Sequence, residues 1–147
     1  MKIIHKNKKA YFDYEVLEEL TAGIMLTGSE IKSIRAGNVN LKSAYVSIQN
    51  GEAFLQQSQI AQYAYDSSPN YDPFRTRKLL LSKREIEWLA GKLNTQGVTI
   101  AALAVGLKGP YAKIVIGLVR GKKKHDKRQL IKERHMEREA ERAMKKF

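Results

Sequence analysis

The sequence predicts a mainly β domain, a small antiparallel barrel with helices packed at its ends, and three observations lead there. Strand-like segments outnumber helical ones, successive strands are joined by short turns, and the two helical segments sit between groups of strands. Closing such a sheet on itself is the economical solution, because a closed ring leaves no edge to recruit other chains. A chain of 147 residues suits one buried domain and is short for two.

Residues 1–9 carry four Lys and no acid and read as a flexible basic arm. Residues 11–17, Tyr-Phe-Asp-Tyr-Glu-Val-Leu, set aromatic and branched side chains against acids in near alternation, a strand pattern. Residues 23–26 continue as a second, buried strand. Thr27-Gly28-Ser29-Glu30 follows, where the Thr hydroxyl can cap a helix and Glu30 can reach back to the cap nitrogen. Ile31 and Ile34 then share a face and Gly37 supplies a left-handed exit, so a helix of about two turns is expected.

From Leu41 the period becomes two. Residues 45–48 and 53–55 flank Asn50-Gly51, a pair that accepts the positive φ angles of a tight hairpin, and residues 56–60 extend the return strand. Residues 63–76 hold Pro69 and Pro73 with little periodicity and read as a long exposed loop. Ser82-Lys83-Arg84-Glu85 is a second capping box, and the helix behind it spaces Ile86, Leu89, Ala90 and Leu93 as a buried stripe before Gly97. Residues 98–105 and 113–119 pair across Lys108-Gly109-Pro110 as a second hairpin.

Charge divides the chain into an arm (1–9), a barrel (10–119) and a basic C-terminal tail (120–147). The tail holds twelve Lys or Arg against five Asp or Glu, so it carries +7 of the total +12, and the arm adds +4. The remaining body is nearly neutral at +1. Two basic ends on a neutral body suit a polyanion: the ends neutralise phosphate and the body supplies shape. Within the tail, Leu130, Met136, Ala140, Ala143, Met144 and Phe147 fall on roughly a third of a helical wheel. So thin a stripe cannot hold a helix by itself, so the tail is expected to be disordered alone and helical against a partner.

Composition also excludes. There is no cysteine, hence no disulfide scaffold, thiolate metal site or cysteine nucleophile. The first residues lack a signal-like apolar stretch, and the longest apolar run, residues 100–107, is too short to span a bilayer, so a soluble cytoplasmic protein is expected. Membrane-surface binding is disfavoured because Ala140 and Ala143 stand where Trp or Leu would be needed. His5, His125 and His135 accompany no nucleophile or metal-ligand pattern, and Asp66 and Asp72 are single carboxylates in the long loop. No glycine phosphate-binding fingerprint occurs. The expectation is a non-catalytic binding protein with no metal and no cofactor, and nucleic acid is its first partner.

Candidate contact residues are of two kinds. Tyr63, Tyr65, Tyr71 and Phe74 either stack on bases or, more commonly for aromatics flanking a loop, anchor that loop to the core. Arg75, Arg77 and Lys78 lie in an extended segment, either on a phosphate backbone or along a solvated edge.

Three ordered stretches go further: residues 27–38 (TGSEIKSIRAGN), 72–85 (DPFRTRKLLLSKRE) and 121–128 (GKKKHDKR), the last followed by IKER at 131–134. Together they resemble the small protein B family, the bacterial partner of transfer-messenger RNA in trans-translation, over nearly the whole chain from about Asn7. The resemblance implies an oligonucleotide-binding-type (OB-like) β-barrel that grips the tRNA-like domain of transfer-messenger RNA. It implies a second partner, the stalled ribosome, with the barrel in the A site of its small subunit, the tail becoming helical in the vacant mRNA channel. A monomer is expected. By the same resemblance Asn7, Leu80 and Lys113 are expected to be RNA-binding positions; Lys8 and Lys9 join them as candidates from the charge of the basic arm. Lys122, Lys123, Lys124, His125, Asp126, Lys127 and Arg128 would work at the decoding centre, with His125 placed to stack on a base. Where family members often carry Glu before Ala-Gly, this chain has Thr21, a hydroxyl without a carboxylate. The alternative is a general binder of structured RNA or a ribosome-assembly protein.

Overall fold

The computed structural model describes residues 1–122 and, beyond them, Ile131, Lys132, Arg134, His135, Met136 and Arg138, which are helical and exposed. Within residues 1–122, nine strands and three helices follow in the order β1 (Lys2–Lys6), α1 (Lys8–Asp13), β2 (Tyr14–Ile24), α2 (Gly28–Arg35), β3 (Val39–Asn40), β4 (Tyr45–Gln49), β5 (Glu52–Gln56), β6 (Gln59–Ile60), β7 (Arg77–Leu80), α3 (Lys83–Lys92), β8 (Val98–Lys108) and β9 (Tyr111–Gly121). The expected barrel takes the form of a closed ring of antiparallel strands, β8-β4-β5-β7-β2-β9, with β9 returning to β8. Its thinnest seam is β4 against β8, paired at Tyr45 and Ala101. A small separate sheet joins β3 to β6.

Both tight turns rest on their backbone chemistry. Asn50 and Gly51 sit at φ 52° and 74°, so β4 and β5 pair in register from Tyr45↔Gln56 to Gln49↔Glu52. The β8–β9 hairpin turns at Gly109-Pro110 and runs from Lys108↔Tyr111 to Val98↔Arg120. Both capping boxes form: Thr27 Oγ1 accepts from the Glu30 amide while Glu30 accepts from the Thr27 amide, and Ser82 and Glu85 do the same for α3.

The inner core draws one face from nearly every strand, including Ala22, Ile24, Val46, Leu55, Leu79, Ile100, Ile114 and Ile116. Ile34 of α2 and Ile86 and Leu89 of α3 belong to it, which is how the helices close over the ring. Each such fully buried aliphatic side chain is worth about 1.5–3 kcal/mol in removed surface. A second, smaller cluster lies outside the ring: Ala101, Leu103 and Val119 meet Ala10 of α1. Leu103 reaches that face at a register shift between Ala102 and Ala104, and lies across Gly117, where a Cβ would come within 2.5 Å of its Cδ1.

Several expectations are corrected. Residues 2–6 are not a flexible arm: β1 pairs with β8 from Lys2↔Leu107 to Lys6↔Ala104. Tyr11, Phe12 and Asp13 are helical, not strand. The two strands expected at 11–17 and 23–26 are one, β2, which passes through a register shift at Leu17. Gln56 ends β5, but residues 57–60 do not extend it, because Gln57 turns at φ 59° and β6 pairs elsewhere. Among the described residues no helix is long and apolar enough to cross a membrane.

Candidate nucleic-acid interface

Where β1 meets α1, an open groove of about 390 Å³ is lined by Ile4, His5, Lys6, Asn7, Lys8, Lys9, Asn40 and Lys42. Four of the eight are Lys and none is acidic, so the groove offers positive charge to an anion. Asn7 builds it. Its backbone N–H donates to Leu103 O at 2.8 Å, its Nδ2 donates to Leu41 O at 2.7 Å and Ala102 O at 2.9 Å, and its Oδ1 caps α1 by accepting from the Ala10 amide at 3.1 Å. With 2% of its surface exposed, Asn7 has no polar group left for a phosphate or base. Asn7 therefore fixes the turn from which Lys8 and Lys9 emerge.

Lys8 and Lys9 are both exposed, and Lys9 pairs with Asp13 at 3.1 Å. The Lys6 ammonium sits 4.7 Å from the centroid of the Tyr11 ring. His5 brings no charge at neutral pH, since burial lowers its pKa and its Nε2 accepts from the Leu41 amide at 3.2 Å. Lys42 arrives from the loop after β3, and no local pattern in the sequence ties it to the other three.

A second surface lies on the outer face of the ring. Leu80 on β7 and Lys113 on β9 are both Cα partners of Gly23 on β2, and Lys113 also partners Gly106 on β8. Leu79, Ala22, Ile24, Ala112 and Ile114 point into the core, so Leu80, Gly23 and Lys113 point out together. Leu80 is 55% exposed, and its side chain packs over Gly23, where a Cβ would be 3.2 Å from that of Leu80. Thr21 lies exposed on the same face of β2. The fold thus assembles an apolar ledge beside a cation on a floor of bare backbone, from residues far apart in the chain.

Arg77 is corrected outright. It has no exposed surface, and its Nε donates to Glu30 Oε2 at 2.8 Å while Nη1 donates to Ser58 O and Oγ, each at 2.9 Å. Arg75 joins the same carboxylate with a guanidinium that stays partly exposed, and Lys78 pairs with Glu52 at 3.3 Å. Tyr71 anchors the long loop, its hydroxyl donating to Ile60 O at 2.8 Å. Tyr65 by contrast is 88% exposed, edge-on to Tyr63 at 5.5 Å, with Lys32 over the Tyr63 ring. Of the tail positions, Lys123, Lys124, His125, Asp126, Lys127 and Arg128 lie outside the described residues. Lys122 does not: its Nζ donates to Tyr11 O at 2.8 Å.

Fold and surfaces together define a class: a small β-ring scaffold with a lysine-lined groove on one flank and an apolar-cationic ledge on another, built to receive a polyanion. The family model described as SmpB protein matches residues 4–146. The SsrA-binding protein of Desulfitobacterium hafniense is 52% identical over 142 residues, covering 97% of this chain and 91% of that protein. That of Thermosynechococcus vestitus is 48% identical over 146 residues, covering 99% and 96%. A solved structure described as "tmRNA-SmpB: a journey to the center of the bacterial ribosome" superposes with TM-score 0.70 at 40% identity, covering 86% of this chain and 93% of that one. The chain belongs to the SmpB family.

Proposed function

We propose that this protein is a non-catalytic adaptor that binds the tRNA-like domain of transfer-messenger RNA and delivers it to the A site of stalled ribosomes for trans-translation. The carrying observation is a family match that runs through ring and tail alike, from residue 4 to residue 146. The ring's chemistry supports an RNA partner: Lys6, Lys8, Lys9 and Lys42 for phosphates, Leu80 for an apolar contact on a base, Lys113 for the backbone beside it. In this reading the tail, residues 120–147, serves the ribosome, with Lys123 to Arg128 at the decoding centre, and the cytoplasm is where both partners are met.

The test separates the two ends. Truncation after Gly121 is expected to leave affinity for the tRNA-like domain nearly intact while abolishing tagging of peptides on stalled ribosomes. Loss of RNA affinity on truncation would refute the division of labour. Equal affinity for any structured RNA at matched salt would favour a general RNA-binding protein.

A further inference from the structure

Residues 61–68 form a tightly bonded loop. At its base the Ala61 amide donates to Asn38 O at 3.1 Å and Ala61 O accepts from Ser33 Oγ at 2.6 Å, which ties the loop to α2. The Asp66 amide donates to Tyr63 O at 2.9 Å and closes a turn over residues 63–66. Asp66 Oδ1 then accepts from the Ser68 amide at 3.0 Å and from its hydroxyl at 2.6 Å, while Gln62 Nε2 donates to Ser68 O at 3.0 Å. Local bonds thus fix the backbone, yet the Tyr65 side chain at the crest of the turn is 88% exposed. Burial is what an aromatic side chain ordinarily gains from folding, and here the fold withholds it. The surroundings say what would cover it. Tyr63 stands edge-on to Tyr65, with 5.5 Å between ring centroids and 61° between planes. The Lys32 ammonium lies 5.5 Å from the Tyr63 centroid, and Arg35 is exposed one turn further along α2. A flat π face with cations beside it matches a nucleotide, the base for the aromatic face and the phosphate for the cations. A protein segment would find little apolar area beyond the two tyrosines, since residues 66–70 are Asp-Ser-Ser-Pro-Asn.

We propose that Tyr65, set edge-on to Tyr63 and backed by the cations of α2, is a stacking platform for an unpaired base of single-stranded RNA. Duplex RNA does not suit it, because paired bases are already stacked on one another and show only their edges. The platform discriminates by strandedness rather than by sequence, since every base has a π face. It goes beyond the binding of a folded tRNA-like domain and does not rest on it, because any strand with free bases carries the required chemistry.

The test uses the full chain with a short oligoadenylate and a blunt RNA duplex of the same length. Tyr65→Ala is expected to weaken oligoadenylate binding about five-fold or more, the loss of one stacked base. The salt slope should stay unchanged, because no charge is removed. Tyr65→Phe should keep the wild-type affinity and Tyr65→Leu should not, which separates a π face from apolar bulk. Duplex affinity should be the same in all four proteins. With the side chain so exposed, none of the variants should move the urea midpoint. Wild-type oligoadenylate affinity in Tyr65→Ala, or an equal loss on the duplex, would overturn the platform. Tyr65→Leu binding as well as Tyr65→Phe would overturn it too, in favour of a plain apolar contact of the kind a protein partner makes. None of these failures touches the tRNA-like domain reading, which rests on the lysine groove, the Leu80–Lys113 ledge and the family match.

Discussion

Arg77 and Glu30, forty-seven positions apart, meet with both side chains wholly buried, Nε to Oε2 at 2.8 Å. The same carboxylate closes the α2 capping box through Thr27 and receives Arg75. The same guanidinium holds Ser58 O and Pro73 O, tying β6 and the long loop to the start of β7. Glu30→Gln keeps a capping-box residue at that position and removes only the charge, leaving Arg77 buried and uncompensated. It should destabilise the fold by about 3–5 kcal/mol, read as a lower urea midpoint with an unchanged slope. A loss under about 1 kcal/mol would mean that Arg77 is satisfied by its carbonyls alone.

Acid should probe the same pair. Burial pushes the Glu30 carboxyl up, but Arg75, the Thr27 amide and Arg77 together hold it below its ordinary 4.5. A carboxyl depressed by folding binds protons more readily in the unfolded chain. Its stabilisation is therefore complete above the unfolded value and drains away as pH falls through the folded one. Below pH 4.5 the wild type should lose stability more steeply than Glu30→Gln, by thermal melts at a series of pH values. Parallel curves would remove Glu30 from the account.

Much of the fold was legible because it is local. Thr27 to Glu30, Ser82 to Glu85 and Asn50-Gly51 announce their structures within four residues, and the β8–β9 hairpin reads as two apolar runs either side of Lys108-Gly109-Pro110. The misses are non-local or masked. β1 was hidden by its lysines, since an edge strand covering only part of β8 can keep charged residues on its open side. α1 is too short to show a periodic stripe, although Asn7 three positions before Ala10 was its one available signal. At the site, Leu80 and Lys113 came from family resemblance, and only the sheet register shows that Gly23 brings them together. Arg77 read as a surface cation, on a phosphate backbone or a solvated edge, because nothing nearby in sequence reveals that Glu30 awaits it inside.

His5 supplies a prediction near neutral pH. Burial holds its pKa below 6.5, and the neutral ring accepts the Leu41 amide. Protons again bind the unfolded chain first, so the His5 contribution is whole above pH 6.5 and diminishes as pH falls through the depressed folded value. Melting temperature should drop between pH 7.5 and 5.5 in the wild type and drop less in His5→Asn. Identical drops would show that the Leu41 contact does not depend on the neutral ring.

The lysine groove should be visible in salt dependence. Each phosphate contact released lowers the slope of log affinity against log salt by about 0.7–0.9. Replacing Lys8, Lys9 and Lys42 together by Ala should therefore flatten the slope for the tRNA-like domain by about two units, with little change in urea stability because the side chains lie at the surface. An unchanged slope would move the RNA to another face.

The ledge on the outer face permits a sharper contrast, because its two side chains do different work. Lys113→Met removes a charge and should flatten the salt slope by about one unit, weakening binding uniformly across RNA sequences. Leu80→Ala removes apolar area and no charge, so affinity should fall while the slope stays put. With Leu80 more than half exposed, its loss should cost the fold no more than about 0.5 kcal/mol. Because both residues flank Gly23, the double variant should couple, losing less than the sum of the single losses if one bound nucleotide spans the row. Additive losses, or a slope change in Leu80→Ala, would mean that the two residues meet the RNA at separate places, and that the shared row of backbone is a coincidence of register.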